Sequence, residues 1–178
     1  MKPFKSLVIV KHPVELVWTT IRDRMPEIVP MLDDVASVRV VERRSDGNGV
    51  VQLVNEWRVR VDVPAALSAI LPPDQLGWID RAEWDESTHE CHWAIEPFLL
   101  PGAVDCTGMT RFEPAIGGRG TRITFAGTLG VDRSRLGGIA SSLGVPVSAG
   151  LELIVSTMIP KNFRKTTEAL EKWLSTPH

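Results

Sequence analysis

Val51-Gln52-Leu53-Val54-Asn55-Glu56-Trp57-Arg58-Val59-Arg60-Val61 is the stretch that decides the fold. Val51, Leu53, Asn55, Trp57, Val59 and Val61 take every second position, with Gln52, Glu56, Arg58 and Arg60 between them. Alternate side chains of a strand point to opposite faces, so this pattern predicts a sheet with one dry face and one wet face. Just upstream, Asp46-Gly47-Asn48-Gly49 offers residues that tolerate positive φ, the chemistry of a tight hairpin. Before that turn, Val38, Val40 and Glu42 alternate with Arg39, Val41 and Arg43 from a start near Val35, which predicts the other arm.

Toward the C-terminus the same period returns after an interruption at Pro64 to Pro73, where Ala65 to Leu71 is expected to make a helical turn. Leu76 to Trp84 puts Trp78, Asp80, Ala82 and Trp84 on one face, and His89 to Ile95 does so with Cys91, Trp93 and Ile95. After a loop at Pro97 to Gly102, Val104 to Phe112 aligns Cys106, Gly108, Thr110 and Phe112. Gly117-Gly118-Arg119-Gly120 then turns into a last strand carrying Ile123, Phe125, Gly127 and Leu129. Gly108 and Gly127 lie inside strands, where glycine marks a bend, a bulge or a close approach; the curvature expected of this sheet favours a bend.

The ends of the chain differ. Phe4 to Val10 is β-branched and apolar and predicts a first strand. His12-Pro13-Val14-Glu15 opens a helix, because proline suits the first helical position and glutamate the positive end of the dipole. Val14, Val17, Trp18 and Ile21 share its buried face; Met25-Pro26 should end it, with a short turn over Glu27 to Leu32. Residues 130–147 are rich in Gly and Ser and predict a loop. A final helix follows, with Leu151, Val155, Met158, Asn162, Phe163, Thr166, Leu170 and Trp173 along one stripe and a kink expected at Ser156 to Pro160.

Composition sets outer bounds. With 178 residues, 43% hydrophobic and 24% charged, residues 1–178 are expected to form one globular domain. A net charge of -2 gives no basic surface for phosphates, which argues against nucleic acid. Small basic clusters, Arg43-Arg44 and Lys161 with Arg164-Lys165, are expected on solvated faces. No run approaches the roughly 18 apolar residues of a membrane span, and the Leu7 to Val10 run is too short for a signal-peptide core. Cys91 and Cys106 make no disulfide framework, so a cytoplasmic setting is expected.

The order strand, two short helices, about six strands and a long C-terminal helix resembles the START-like superfamily, also called Bet v 1-like. It includes polyketide cyclase/dehydrase and lipid-transport-like proteins. The residues behind the resemblance are His12-Pro13-Val14-Glu15-Leu16-Val17-Trp18, similar to a Pro-x-x-x-Val-Trp first helix. With them stand the Val35 to Val41 strand after Pro30 and Asp33-Asp34, then Gly120-Thr121-Arg122-Ile123-Thr124, and the terminal amphipathic helix. The resemblance implies an α+β helix-grip fold: a curved antiparallel sheet of six to seven strands wrapped around the C-terminal helix. It also implies a cavity between the two for a hydrophobic small molecule such as a lipid, quinone or polyketide. It implies no particular reaction.

On that reading the lining comes from Asn55, Trp57, Trp78, Asp80, Trp84, Trp93, Thr110, Phe112 and Phe125 on the sheet, and from Val155, Met158 and Asn162 on the helix. The plain alternative for the aromatics is a packed core. Asp80 is the most informative of the set. If it faces inward among tryptophans, it needs a partner or takes a raised pKa, as the pocket's polar anchor. If the register slips by one, it sits in solvent beside Arg81. Cys106 and Ser156 could add a thiol and a hydroxyl.

Metal, nucleophile and phosphate-loop chemistry have weak footing. His12, His89, His92 and His178 lack HxxxH spacing, and Cys91 and His92 are adjacent and so diverge on a strand. There is no Gly-x-Ser-x-Gly elbow, and Gly117 to Gly120 lacks the Gly-Lys-Ser/Thr ending. No cofactor is expected. Three readings stay open: a non-catalytic carrier; a cyclase, dehydratase or hydrolase using Asp80 as general acid or base; and a protein-interaction module built on the helix and the apolar Phe98 to Leu100 loop.

Overall fold

A computed structural model describes residues 1–60, 76–98, 101–135 and 147–177, without the side chains of Arg133 and of 147–160. Seven strands form one antiparallel sheet: β1 (Lys2–Val10), β2 (Val35–Ser45), β3 (Val50–Val59), β4 (Gly77–Asp85), β5 (Glu90–Pro97), β6 (Val104–Ala115) and β7 (Gly120–Val131). Their order is β1-β7-β6-β5-β4-β3-β2, so the first two strands in sequence are the two edges. Helix α1 (Val14–Ile28) follows β1, and α2 (Val147–Leu174) closes the chain, lying against β1 and β7. This is the α+β helix-grip architecture.

The hairpin between β2 and β3 is built from the turn residues. Gly47 and Gly49 take φ of 78° and 94°, and the Asp46 carboxylate accepts from the Asn48 and Val50 N–H groups at 2.7 and 3.0 Å. The alternation expected of β2 fails halfway. A register shift between Val40 and Glu42 sends Arg43, rather than Glu42, to the side of Leu53. There its guanidinium reaches Asp23 of α1 at 2.8 Å, and Val41 is left exposed. A bulge of this kind depends on the partner strand, so period counting on one strand cannot see it.

Pro26 does not end α1 as expected; the helix continues to Ile28 and flows into a 3₁₀ turn, Val29–Met31. So close to the C-terminus a proline forfeits one backbone hydrogen bond, and burial of Ile28 and Val29 holds the last turn in place. Helix α2 runs through Pro160 as a single element, as the sequence expectation of a continuing helix requires. The expected helical turn at Ala65 to Leu71 lies outside the described residues.

Core packing concentrates where α1 crosses the sheet. Trp18 is fully buried and meets Trp84 and Phe112 edge-on, with ring centroids 5.0 and 5.2 Å apart. A second column joins helix to sheet: Phe163 of α2 stacks on Phe125 at 4.6 Å, and Phe125 on Trp93 at 4.8 Å. Such stacked pairs each add about 0.5–1.5 kcal/mol beyond their buried area. Lys165 on α2 anchors to Asp34 at 2.5 Å, ahead of β2.

Candidate ligand-binding site

The inner face of the sheet is not uniform. At the end under α1, Trp84, Cys91 and Phe112 are closely packed. One step along, Ala82 and Trp93 remain buried. Farther along the same strands, Asn55, Trp57, Trp78, Asp80 and Ile95 all keep part of their surface accessible. Trp84 to Trp78 spans about 20 Å of strand, so the face passes from sealed core to partly open wall within one strand length.

Asp80 shares the inner face with Ala82 and Trp84, and Arg81 points the other way and pairs loosely with Glu96. The inward alternative is therefore the correct orientation. Asn55 is its direct cross-strand partner and donates from Nδ2 to the Asp80 carboxylate at 3.4 Å, a long bond. Ile95 flanks Asp80 from β5. Burial raises the Asp80 pKa from 3.8 to about 6; Asn55 and then Trp57 pull in the other direction without cancelling it. The Trp57 influence falls short of a formed bond, because its Nε1 is buried with no acceptor in hydrogen-bond geometry among the described residues. Asp80 is thus a desolvated acid that still keeps part of its surface accessible.

On the next rung of the same ladder, Trp57 and Trp78 face each other and stack at 5.7 Å with planes 13° apart. Val38 and Val40 of β2 continue those two rungs as partners of Trp57 and Asn55. Together Asn55, Asp80, Trp57 and Trp78 form a compact polar-aromatic patch.

The other expected lining residues are placed differently. Trp84 and Phe112 belong to the packed Trp18 cluster. Trp93, Thr110 and Phe125 belong to the stacked column, where the Trp93 indole donates to Thr110 Oγ1 at 3.1 Å and occupies that hydroxyl. Asn162 is half-buried on α2, one residue before Phe163. The side chains of Val155, Ser156 and Met158 lie outside the described residues. Phe98, of the apolar Phe98 to Leu100 loop, lies over Gly77, with the Arg58 guanidinium 4.3 Å from its ring; Leu99 and Leu100 lie outside the described residues.

Ile95, Val38 and Phe163 complete the picture and were not singled out as site residues in the sequence. Ile95 and Phe163 already carried the signal, since one shared the period of Trp93 and the other sat in the helix stripe.

Neither cysteine is poised to react. Burial, and secondarily Asp80, pushes the Cys91 thiol well up; burial, and secondarily Asp105, pushes Cys106 up to about 12. Among the described residues no cluster of His, Cys, Asp and Glu could hold a metal, and no helix is long and apolar enough to cross a membrane.

The outer face carries a shallow trough of about 1020 Å³, lined by residues including Val54, Arg81, Glu83, His92, Ala94 and Met109. It is open to solvent and separated by the sheet from Asp80. We place the candidate site on the inner face because the desolvated acid is there.

No family model matches the chain, and no curated protein matches it in sequence. Solved structures match it in fold. An aromatase/cyclase from Streptomyces sp. R1128 superposes with a TM-score of 0.70 at 14% identity, over 96% of this chain and 92% of that one. A protein from Thermus thermophilus gives 0.65 at 17% identity over 98% and 100%. Norcoclaurine synthase from Thalictrum flavum gives 0.56 at 10% identity over 97% and 86%. At these identities the likeness shows the fold alone. The fold is the START-like, Bet v 1-like helix-grip.

Proposed function

We propose that the chain binds a hydrophobic small molecule between the inner sheet face and α2, with residues 1–178 acting as one binding domain. The observation that carries this reading is the Asn55–Asp80 pair: an inward, desolvated carboxylate that remains partly accessible beside the stacked Trp57 and Trp78. A core built only for stability gains nothing from a charge there, whereas a ligand site uses one polar anchor among apolar walls. Most of the binding free energy would come from burying apolar ligand surface, at about 25 cal/mol per Å² before association costs. Asn55, Asp80, Trp57 and Trp78 are the residues in closest contact on this reading, with Asn162 contributing from α2. The packed Trp84, Trp93, Thr110, Phe112 and Phe125 form the floor.

An uncharged apolar fluorescent probe such as N-phenyl-1-naphthylamine tests this directly. Saturable one-to-one binding, weakened several-fold by Trp78→Ala with the fold retained, is the expected result. Absence of saturable binding by any apolar probe would overturn it.

One observation favours a second reading, acid–base chemistry on the bound molecule. A carboxyl group with a pKa of about 6 can exchange a proton near neutrality. A cyclase, dehydratase or hydrolase step would use Asp80 alone, since the Cys91 thiol nearby stays protonated. Asp80→Asn would then lower kcat for the same compound far more than it weakens its binding, under the logic that separates kcat from KM.

A further inference from the structure

Asp80 has no cation beside it among the described residues. Judged from the register, it is the sole carboxylate on the inner face among the described sheet residues. Arg43, the basic side chain that the β2 bulge turns to that side, is engaged by Asp23 at 2.8 Å. Lys165 of α2 is engaged by Asp34, and Lys161 and Arg164 are exposed. Segments 61–75, 99–100 and 136–160 contain no lysine, arginine or histidine in their sequence. What acts on the Asp80 charge is burial, one amide and one indole N–H, with no cation among the causes.

A desolvated carboxylate held by one 3.4 Å amide bond has unused acceptor capacity. Asn55, which donates its amide to Asp80, keeps its side-chain carbonyl oxygen as a second acceptor. One rung away stands the Trp57–Trp78 pair, and aromatic faces attract cations as carboxylates do. Two acceptors and two indoles on one patch, with no cation beside them among the described residues, are complementary to a positively charged donor.

We infer that the occupant of this site is an amphipathic amine: an apolar, ring-bearing body against Trp57 and Trp78, with its ammonium seated on the Asp80 carboxylate and the Asn55 carbonyl. This rests on the ligand-binding reading above and sharpens it to one class of head group. An anionic lipid or a free fatty acid would place like charges together, a repulsion that a low-dielectric site amplifies.

The test uses three probes with one ring system and different heads: naphthylethylamine, naphthylethanol and naphthylacetate, measured by calorimetry near neutral pH on the full chain. The amine is expected to bind at least about tenfold tighter than the alcohol, with the acetate weakest, the scale of a desolvated charge pair. In Asp80→Asn, which keeps shape and hydrogen-bonding size, the amine's advantage over the alcohol should collapse to within about threefold. Equal binding of all three heads, or acetate at the top, overturns the inference and leaves the ligand-binding reading standing. An amine advantage that survives Asp80→Asn overturns it as well, by placing the selectivity elsewhere. If none of the three binds, the ligand-binding reading falls and takes this inference with it. The wild-type ranking alone decides the matter should the variant fold poorly.

Discussion

Trp93 and Gly108 are direct partners across β5 and β6, and a Cβ on Gly108 would run into both the Trp93 indole and the Ala126 carbonyl oxygen. Gly127 on β7 continues the seat: a Cβ there would come within 2.6 Å of the Thr107 carbonyl oxygen, 2.7 Å of the same indole and 2.8 Å of the Phe4 ring. The two glycines therefore mark a close approach rather than only a bend in the sheet. They let one indole lie flat across two strands and stack on Phe125.

Gly108→Ala should accordingly destabilise the fold by about 1–3 kcal/mol, the usual cost of overpacking a filled core. Trp93→Phe in the same chain should recover part of that loss, because the smaller ring vacates the seat. Urea denaturation of the two single variants and the double variant measures the coupling. Strictly additive losses would show that the indole is not what excludes the Cβ.

Thr110→Val removes the acceptor of the Trp93 N–H and leaves a buried donor unpaired. The expected loss is about 1–3 kcal/mol, with Thr110→Ser close to wild type. Equal losses for Val and Ser would assign the effect to packing instead.

Asp80 should make folding pH-dependent in an unusual direction. Its folded pKa of about 6 lies above the ordinary 3.8, so the folded chain holds the proton more tightly than the unfolded one. Its contribution is full below about pH 4, is lost as pH rises to about 6, and is absent above that. Asp80→Asn should therefore stabilise the protein at neutral pH by on the order of 1–3 kcal/mol, relative to the same comparison at pH 4, the upper end being tempered by the side chain's partial exposure. Thermal melts of both proteins across that range check it. A variant-to-wild-type difference that does not change with pH would contradict it.

Cys91 and Cys106 should resist a thiol reagent such as Ellman's reagent in the folded state and both react after unfolding in urea. They are 3% and 2% exposed, and burial holds both thiols protonated. Rapid labelling of either in native buffer would show that the inner face opens.

Much of the fold was legible because a period of two is a local signal. Val51 to Val59 declared its dry face with no help from the rest of the chain, and the flanking strands repeated the pattern. The two-fold choice at Asp80 was harder. Gly77 to Asp85 holds both a carboxylate and an arginine at adjacent positions, so only the pairing with Asn55 fixes which one faces in. The bulge at Val41 and the passage of α1 through Pro26 arise from partners distant in sequence, namely β3, Asp23 and the buried Ile28. Likewise, the division of the aromatics into packed core and half-open patch depends on where α1 crosses the sheet. Nothing in the spacing of Trp78 and Trp84 distinguishes them; the presence of Trp18 over one and not the other does.

The central claim is that the inner face holds a hydrophobic molecule. Native mass spectrometry of the freshly purified protein, with parallel analysis of an organic-solvent extract, tests it most directly. The account predicts a stoichiometric apolar adduct, or its appearance after incubation with an apolar lipid or ring compound, and its weakening in Trp78→Ala. A protein that remains at the mass of its bare chain, before and after such incubation, would contradict the account and turn attention to α2 as a surface for another protein.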